Sequence, residues 1–260
     1  MSLEPIQKLL QQSSVWRGKT HQEQVAWPTL STGFAELDDH LPGRGWPQAS
    51  VTEFLIDVYG LGELQLLLPA LKKLINTDQA DIEGRSTGPS AAETSKIAFI
   101  NPPYWPYAPA LEAAGLSLEQ ILLMVIDRDQ NPDLSLWTAE QLARHADCKA
   151  VLLWPKQLQT GQLRRLQLAA EAGNTWLIVF RPLSAQSQSS SATLRLSLSV
   201  NAVSEKQLHI IKVRGGRPRL LATDFLTSGF KPRSWSRPPA SLLTSLPASA
   251  AVNSSQTASL

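Results

Sequence analysis

The feature that most constrains this chain is an alternation of short apolar runs with amphipathic segments. The apolar runs are four to seven residues long, are bounded by turn-forming residues, and lie at 50–56, 97–100, 122–126, 150–154 and 176–180. Segments with helical periodicity separate them, at 63–75, 107–114, 134–145 and 162–172. Such runs are typical of strands buried on both faces, and strands that alternate with helices form βαβ units. The sequence therefore predicts an α/β fold with a mostly parallel sheet flanked by helices.

The pattern changes after Thr193. Residues 194–200 and 207–213 alternate apolar and polar side chains, which predicts a β-hairpin at one edge of the sheet. Three stretches are rich in Ser, Gly, Pro, Ala and Gln and are expected to be poorly ordered: 76–95, 184–193 and the residues after 231. We therefore expect three regions: an N-terminal helix and docking segment (1–30), a core (31–220) and a tail that is first basic and then rich in Ser, Ala and Pro (221–260).

Composition favours one globular core in a reducing compartment. Of the 260 residues, 43% are hydrophobic and 18% are charged, as in ordinary globular proteins. No apolar run approaches the roughly 20 residues that cross a bilayer, and the N-terminus lacks the pattern of an export signal. We expect a cytoplasmic protein without a membrane partner. The single cysteine, Cys148, is expected to be an ordinary small residue near a buried strand, and the four isolated histidines predict no metal site.

Positive charge is concentrated near the C-terminal end of the predicted core. Between residues 201 and 240, eight Lys or Arg stand against Glu205 and Asp224, a local net charge of +6. Such a segment can meet phosphate. The candidate DNA contacts lie on the predicted hairpin and its exit, and they are Lys212, Arg214, Arg217 and Arg219. A solvated basic rim is the alternative interpretation.

Aromatic residues supply candidate protein contacts. An apolar stripe at helical spacing near the N-terminus, formed by Leu3, Ile6, Leu9 and Leu10, predicts a short helix that must dock on its own core or on a partner. Trp16, with Arg17 beside it, is the preferred partner-binding anchor. Further aromatic residues lie in predicted loops or at segment ends, where they could be interface anchors or part of the core: Trp46, Tyr104, Trp105 and Tyr107.

The segment before the first predicted core strand resembles the entry to a RecA-type core. It begins with Ser31-Thr32-Gly33, continues to Leu37-Asp38, and is followed by Leu41-Pro42-Gly43-Arg44-Gly45-Trp46-Pro47. Arg44 stands where we expect a glycine, which suggests that the turn does not need an uninterrupted glycine run. In RecA-like ATPases the next strand leads directly into the phosphate-binding loop G-x-x-x-x-G-K-[ST].

The corresponding loop of this chain, residues 57–64, has lost most of that motif. Only Gly62 remains in register, because Asp57 replaces the first glycine, Glu63 replaces the lysine and Leu64 replaces the hydroxyl residue. Carboxylates would repel a triphosphate that needs cations. We therefore expect no nucleotide cofactor; Gly60 and Gly62 also fit a plain strand-to-helix turn.

Two further positions of the RecA pattern lack their catalytic carboxylate. By this register the catalytic glutamate is replaced by Pro103, and the strand that should deliver a metal-binding aspartate ends in Trp154-Pro155. The two DNA-binding loops of RecA correspond here to short segments, 156–161 and 184–193. Neither holds the cluster of basic and aromatic residues that binds single strands.

The combination resembles the ImuA family, the RecA-like accessory proteins of mutagenic translesion synthesis, which are sometimes grouped with the cell-division inhibitor SulA. The resemblance spans roughly residues 16–217 and depends on phrases that occur in one order: Val15-Trp16-Arg17-Gly18 and the segments 41–47, 60–71, 102–104, 107–111 and 163–171.

The resemblance implies a non-catalytic adaptor or regulator of SOS-induced translesion DNA synthesis. Its implied partners are an inactive Y-family polymerase-like protein (ImuB), an error-prone replicative-type polymerase, and RecA or the RecA filament. Two alternatives stay open. One is an atypical ATPase of the RecA superfamily that uses displaced ligands such as Lys72, Lys73 or Asp127; the other is a SulA-like inhibitor of FtsZ.

Overall fold

The structure is a computed structural model that describes residues 28–80, 95–127, 131, 133–203 and 205–223. Residues 1–27 of the N-terminal docking segment, which include Trp16 and Arg17, residues 81–94 and residues 224–260 of the C-terminal tail lie outside the described residues. Predictions about them stay predictions.

The described residues contain ten strands and five α-helices. The strands are β1 (Thr29–Leu30), β2 (Trp46–Pro47), β3 (Val51–Ile56), β4 (Lys96–Ile100), β5 (Ile121–Met124), β6 (Cys148–Leu153), β7 (Trp176–Pro182), β8 (Leu194–Val200), β9 (Lys206–Val213) and β10 (Arg219–Ala222). The helices are α1 (Ala35–Asp38), α2 (Glu63–Ala80), α3 (Ala108–Ala113), α4 (Leu134–Arg144) and α5 (Thr160–Gly173). Two short 3₁₀ helices cover Leu118–Gln120 and Leu183–Ser187.

Eight of these strands form one mixed sheet in the order β10-β9-β8-β3-β7-β6-β4-β5. The six strands from β8 to β5 are parallel to one another, β9 is antiparallel to β8, and β10 is antiparallel to β9. The predicted α/β class is confirmed, as is the architecture expected of a RecA-like core: a mostly parallel sheet flanked by helices, with an antiparallel hairpin toward one edge. The outermost strand at that edge is β10, which the sequence pattern does not predict.

Alternate residues of β3 supply two separate cores, one on each face of the sheet. Phe54 and Ile56 belong to the core beneath α2, whereas Val51 belongs to the core beneath α4 and α5. The first core contains a continuous aromatic row with neighbouring ring centroids 4.4–6.1 Å apart, in the order Trp176, Trp46, Phe54, Phe180, Trp154 and Phe99. Trp46 is therefore a core residue and not an interface anchor.

The carboxylate of Asp38 gives the S-T-G and L-D phrase a structural role. It accepts hydrogen bonds from the Ser31 hydroxyl and the Thr32 backbone N–H, both at 2.8 Å. Gly33, which follows Thr32, has a φ of +86°, and a Cβ there would lie 2.5 Å from the Cβ of Pro69 in α2. The phrase therefore closes the entry turn and lets α2 pack closely against it.

The glycine-rich turn explains why a glycine is expected at position 44. Arg44 has a φ of 55°, in the left-handed region that normally favours glycine. Its guanidinium forms an exposed ion pair with Asp39 at 2.6 Å. Position 45, in contrast, cannot accept a side chain, because a Cβ there would lie 2.4 Å from the carbonyl oxygen of Leu30. The turn thus tolerates Arg44 at the cost of backbone strain.

Two segments that we expected to be poorly ordered carry regular structure. Helix α2 continues through residues 76–80, because no Pro or Gly interrupts it there. The 184–193 segment begins with the 3₁₀ helix, and the guanidinium of Arg195 binds its backbone at the Ala185, Gln186 and Gln188 carbonyls. The composition of residues 184–193 does not predict this order, because the group that holds their backbone belongs to Arg195 on β8.

Candidate functional site

The loop of residues 57–62, which the sequence resemblance aligns with a phosphate-binding loop, connects β3 to α2 and is closed by the first residue of that helix. Gly60 and Gly62 both have left-handed backbones, with φ values of +90° and +110°. The side chain of Glu63 turns back toward them and is only 7% exposed. Its carboxylate accepts the Gly60 N–H at 2.8 Å and the Gly62 N–H at 3.1 Å. The loop therefore hydrogen-bonds a carboxylate of its own chain.

This geometry sharpens the role expected for Glu63. The sequence predicts a misplaced negative charge that repels phosphate. In the structure, the carboxylate takes the kind of position that an anion prefers, at a helix N-terminus with converging backbone N–H groups. Leu64 is half-buried and packs on the core, and Asp57 is exposed at the end of β3. An incoming phosphate would have to displace Glu63 and then lie beside its charge.

Lys206 is a residue of this region that sequence reasoning missed. It begins β9, yet its Nζ atom lies 3.9 Å from the point where a Gly62 Cβ would be. The local excess of Lys and Arg is visible in the sequence. The proximity of Lys206 to the loop depends on the strand order β9-β8-β3, which no local sequence pattern reveals.

Trp154 occupies the position at the end of β6 where a metal-binding aspartate is expected in the RecA pattern. Its ring stacks on Phe180, with centroids 4.4 Å apart and planes 9° apart, and also on Phe99. The side chain is buried in the core beneath α2. An aspartate at this position would have its carboxylate among aromatic rings, where an uncompensated charge is costly.

Pro103, at the position of the missing catalytic glutamate, is exposed in the loop after β4. The nearby Asn101 has a structural role: its backbone N–H donates to the Met124 carbonyl at 2.8 Å, and its side-chain oxygen accepts the Ile126 N–H at 2.7 Å. Asn101 therefore ties the loop after β4 to the segment after β5.

The displaced ligands considered for an atypical ATPase are not gathered at the loop. Lys72 and Lys73 are exposed on α2, nine and ten residues after Glu63, or about 14 Å along the helix axis. The Lys72 side chain lies against Gly115. Asp127 follows β5, four strand positions from β3, which corresponds to about 19 Å across the sheet.

The two loops that the sequence resemblance aligns with the RecA DNA-binding loops line one groove at the carboxyl ends of β6 and β7. Residues 155–160 form one wall and residues 182–189 form the other, with Arg181 between them. The hydroxyl groups of Thr160 and Ser189 lie 3.4 Å apart. The lining residues include no aromatic side chain and no carboxylate. The groove thus lacks stacking platforms for bases, as its sequence predicts.

A buried ion cluster beside this groove was not predicted. Glu53 on β3 is fully buried, and its carboxylate pairs with Arg181 Nη1 at 2.7 Å and with Arg195 Nε at 2.8 Å. Arg181 also donates to the carbonyl of Leu158, so the cluster connects both walls of the groove to the sheet. The available signal was a charged residue inside each of three apolar strands. Each is tolerable only because the strands are neighbours.

The four predicted DNA contacts are not brought together on one surface. Lys212 pairs in register with Arg195 and donates to the Ser190 carbonyl at 2.7 Å. Burial, followed by repulsion from Arg195, lowers the pKa of Lys212. Arg219 pairs with Ile210 on the opposite face of the sheet, where its guanidinium lies 3.2 Å from the His40 ring. Arg214 and Arg217 are exposed in the turn between β9 and β10.

Cys148 lies buried on β6, as expected for an ordinary small residue, and burial raises the pKa of its thiol to about 12. Within the described residues, no three His, Cys, Asp or Glu side chains are grouped closely enough to hold a metal ion. None of the described helices has the length and apolar character that a membrane span requires.

Comparison with known proteins assigns no family to the chain. No protein-family model matches it, and no curated protein matches it at a significant level.

Proposed function

We propose that this chain is a non-catalytic adaptor of damage-induced translesion DNA synthesis. It binds an ImuB-like polymerase-related protein, acts with an error-prone replicative-type polymerase, and contacts RecA or its filament. The observation that carries the proposal is the Glu63 carboxylate bound to the Gly60 and Gly62 N–H groups. This contact supports the proposal of a RecA-like core in which the loop does not bind nucleotide.

Two other positions support the same proposal. Pro103 has no group that could activate water, and the buried aromatic Trp154 has none that could hold magnesium. These positions follow different strands and are changed in chemically different ways. Restoring one of them therefore leaves the others unable to support hydrolysis.

Thermal unfolding with Mg-ATP tests the loss of nucleotide binding. A ligand that binds only the native state raises the melting temperature, so millimolar Mg-ATP should leave the Tm of this protein unchanged. A functional RecA-type ATPase in the same buffer provides the positive control. A saturable rise in Tm would contradict the proposal.

Lys206 favours one competing function, an atypical nucleotide-binding protein. Its amine lies close to Gly62 and could supply the positive charge that position 63 lacks. If Mg-ATP raises the Tm of the native chain but not of the Lys206→Ala variant, the atypical ATPase becomes the better proposal. We expect no shift with either protein.

A side-by-side binding assay tests the partners. The purified chain is immobilised and exposed separately to an ImuB-like protein, RecA and FtsZ. We expect retention of the ImuB-like protein, with RecA as a second partner. Retention of FtsZ alone, with loss of its polymerisation, would replace the adaptor proposal with division inhibition.

Direct DNA contact through the basic edge has a separate test. Phosphate contacts strengthen as salt falls, so single-stranded DNA binding is titrated from high to low ionic strength. Weak binding that depends on Arg214 and Arg217 would support a contact at this edge. Absence of binding at low salt would leave these residues as a solvated basic rim.

A further inference from the structure

The loop after β4 exposes three large aromatic side chains within four residues. Tyr104, Trp105 and Tyr107 are 73%, 77% and 58% exposed. Three prolines restrict the loop, at positions 102, 103 and 106. Aromatic side chains on a restricted backbone lose little conformational entropy on binding, and Trp and Tyr are enriched among residues that dominate binding energy.

Other exposed apolar side chains lie at the same end of the sheet. Val125 follows β5, directly beside β4, and Asn101 hydrogen-bonds both segments together. Leu134 and Trp137 are exposed in the first turn of α4, one helical turn apart. We call Tyr104, Trp105, Tyr107, Val125, Leu134 and Trp137 the aromatic end. A concentration of exposed apolar residues of this kind marks an interaction site more often than isolated ones do.

The sequence around the aromatic end is mainly acidic. From residue 97 to residue 143 it holds six carboxylates and one basic residue, Arg128. Glu140 is paired with Arg144 and Arg165, and Lys96 binds the Glu119 backbone at the opposite end of β4. Glu112, Asp127 and Asp133 are exposed carboxylates of this stretch, and Asp133 accepts a hydrogen bond from the Gln162 side-chain amide at 3.3 Å. They repel a nucleic-acid backbone and favour a cationic ligand.

We propose that the aromatic end is the docking surface for a partner-protein segment in which arginine side chains alternate with apolar ones. The apolar side chains cover Val125, Leu134 and Trp137, while guanidinium groups stack on Tyr104 and Trp105 and approach the carboxylates. Arginine suits both contacts, because its planar cation stacks on aromatic faces and pairs with carboxylates. This inference rests on the proposed adaptor function and names the surface that performs it.

The test uses the full chain and a fluorescent peptide of about twelve residues with alternating leucine and arginine. A second peptide replaces arginine by citrulline, which keeps the shape and removes the charge. We expect the arginine peptide to bind at least about tenfold more tightly than the citrulline peptide. The Trp105→Ala variant should lose at least about tenfold in affinity for the arginine peptide. Leu220→Ala removes an exposed apolar side chain of β10 at the opposite edge and serves as the matched control.

Three outcomes would overturn the inference. The first is failure of the arginine peptide to bind the native chain, and the second is equal binding to native and Trp105→Ala proteins. The third is binding of single-stranded DNA to the native chain but not to the Trp105→Ala variant, which would make the surface a base-stacking platform. The ImuB-like protein separates the two proposals. If it binds the Trp105→Ala variant and the native chain with equal affinity, the assignment of this surface is wrong but the adaptor proposal stands. If it binds neither protein, the adaptor proposal itself is contradicted.

Discussion

Two buried glutamates ten residues apart, Glu53 and Glu63, are stabilised in different ways. Glu53 lies in the middle of β3 and is paired with two guanidinium groups from neighbouring strands. Glu63 lies at the start of α2 and is held by two backbone N–H groups of its own loop. The first carboxylate joins distant parts of the chain, and the second one satisfies a local turn.

The difference indicates which of the two carboxylates the fold needs. The Glu53 cluster orders the groove walls through Arg181 and Arg195, so its loss should affect the whole fold. Under the proposed function, the Glu63 contact fills a loop that binds no nucleotide. We therefore expect substitution of Glu53 to lower the stability of the fold strongly. Substitution of Glu63 should leave the proposed function unchanged.

The largest effect is expected from Glu53→Gln. The amide keeps the shape of the side chain but leaves Arg181 and Arg195 buried without a counter-charge, which typically costs about 3–5 kcal/mol. Guanidinium chloride unfolding measures the change. Glu140→Gln is the matched control, because its partners Arg144 and Arg165 are exposed and such pairs contribute about 1 kcal/mol or less each. Equal losses in the two variants would show that the cluster is not a special determinant of the fold.

The strands and helices of the core were predictable from local pattern. The runs at 97–100 and 176–180 correspond to β4 and β7 because continuous burial on both faces leaves only apolar residues there. Strand β10 was not predictable, since three of its four side chains are exposed and its position depends on pairing with β9. A strand at an open edge needs little apolar content, and so it leaves little trace in the sequence.

The sequence predicts that the candidate site lacks the ligands of a nucleotide, but it does not predict how the side chains of the site are arranged. Residue identities at 63, 64, 103 and 154 suffice to exclude the usual ligands of a nucleotide. They do not reveal that the Glu63 side chain turns back onto Gly60 and Gly62, because that depends on two left-handed backbones. Nor do they reveal Lys206 beside the loop or Glu53 between two arginines, which are consequences of strand order.

Glu63→Ala should have a smaller effect than Glu53→Gln. It removes the carboxylate that accepts two loop N–H groups and leaves those of Gly60 and Gly62 to water, a loss of about 1–2 kcal/mol. Chemical unfolding gives the value, and Gln65→Ala, an exposed change in the same turn, is its control. Because Leu64, Pro103 and Trp154 are unchanged, Mg-ATP should still not raise the Tm. A nucleotide-dependent rise in this variant would show that Glu63 alone blocks the site.

Cys148 provides a third buried ionisable group, one without a counter-ion. Its pKa rises to about 12 in the folded protein, so the folded state holds its proton at pH values where the unfolded thiol, near 9, has lost it. Stability from this residue is complete below pH 9 and falls as pH rises toward 12, by about 1 kcal/mol at pH 10. The comparison is between native protein and Cys148→Ala in urea unfolding at pH 8 and pH 10. An unchanged difference between the two pH values would contradict burial of the thiol.

Lys212 should show the smallest effect and the opposite pH dependence. Its pKa is lowered by burial and by Arg195, so the charged form is disfavoured in the folded state. The unfolded chain then binds more protons, and stability from this residue rises as pH approaches the ordinary lysine pKa of 10.5. Lys212→Gln removes this dependence and part of the contact with the Ser190 carbonyl, so we expect a change below about 0.5 kcal/mol at pH 7. Unfolding at pH 7 and pH 10 should show the native protein gaining stability relative to the variant. A larger loss at pH 7 would instead mean that Lys212 belongs with Arg181 and Arg195 in the cluster around Glu53, and that this cluster extends to β9, the strand beside the edge strand β10.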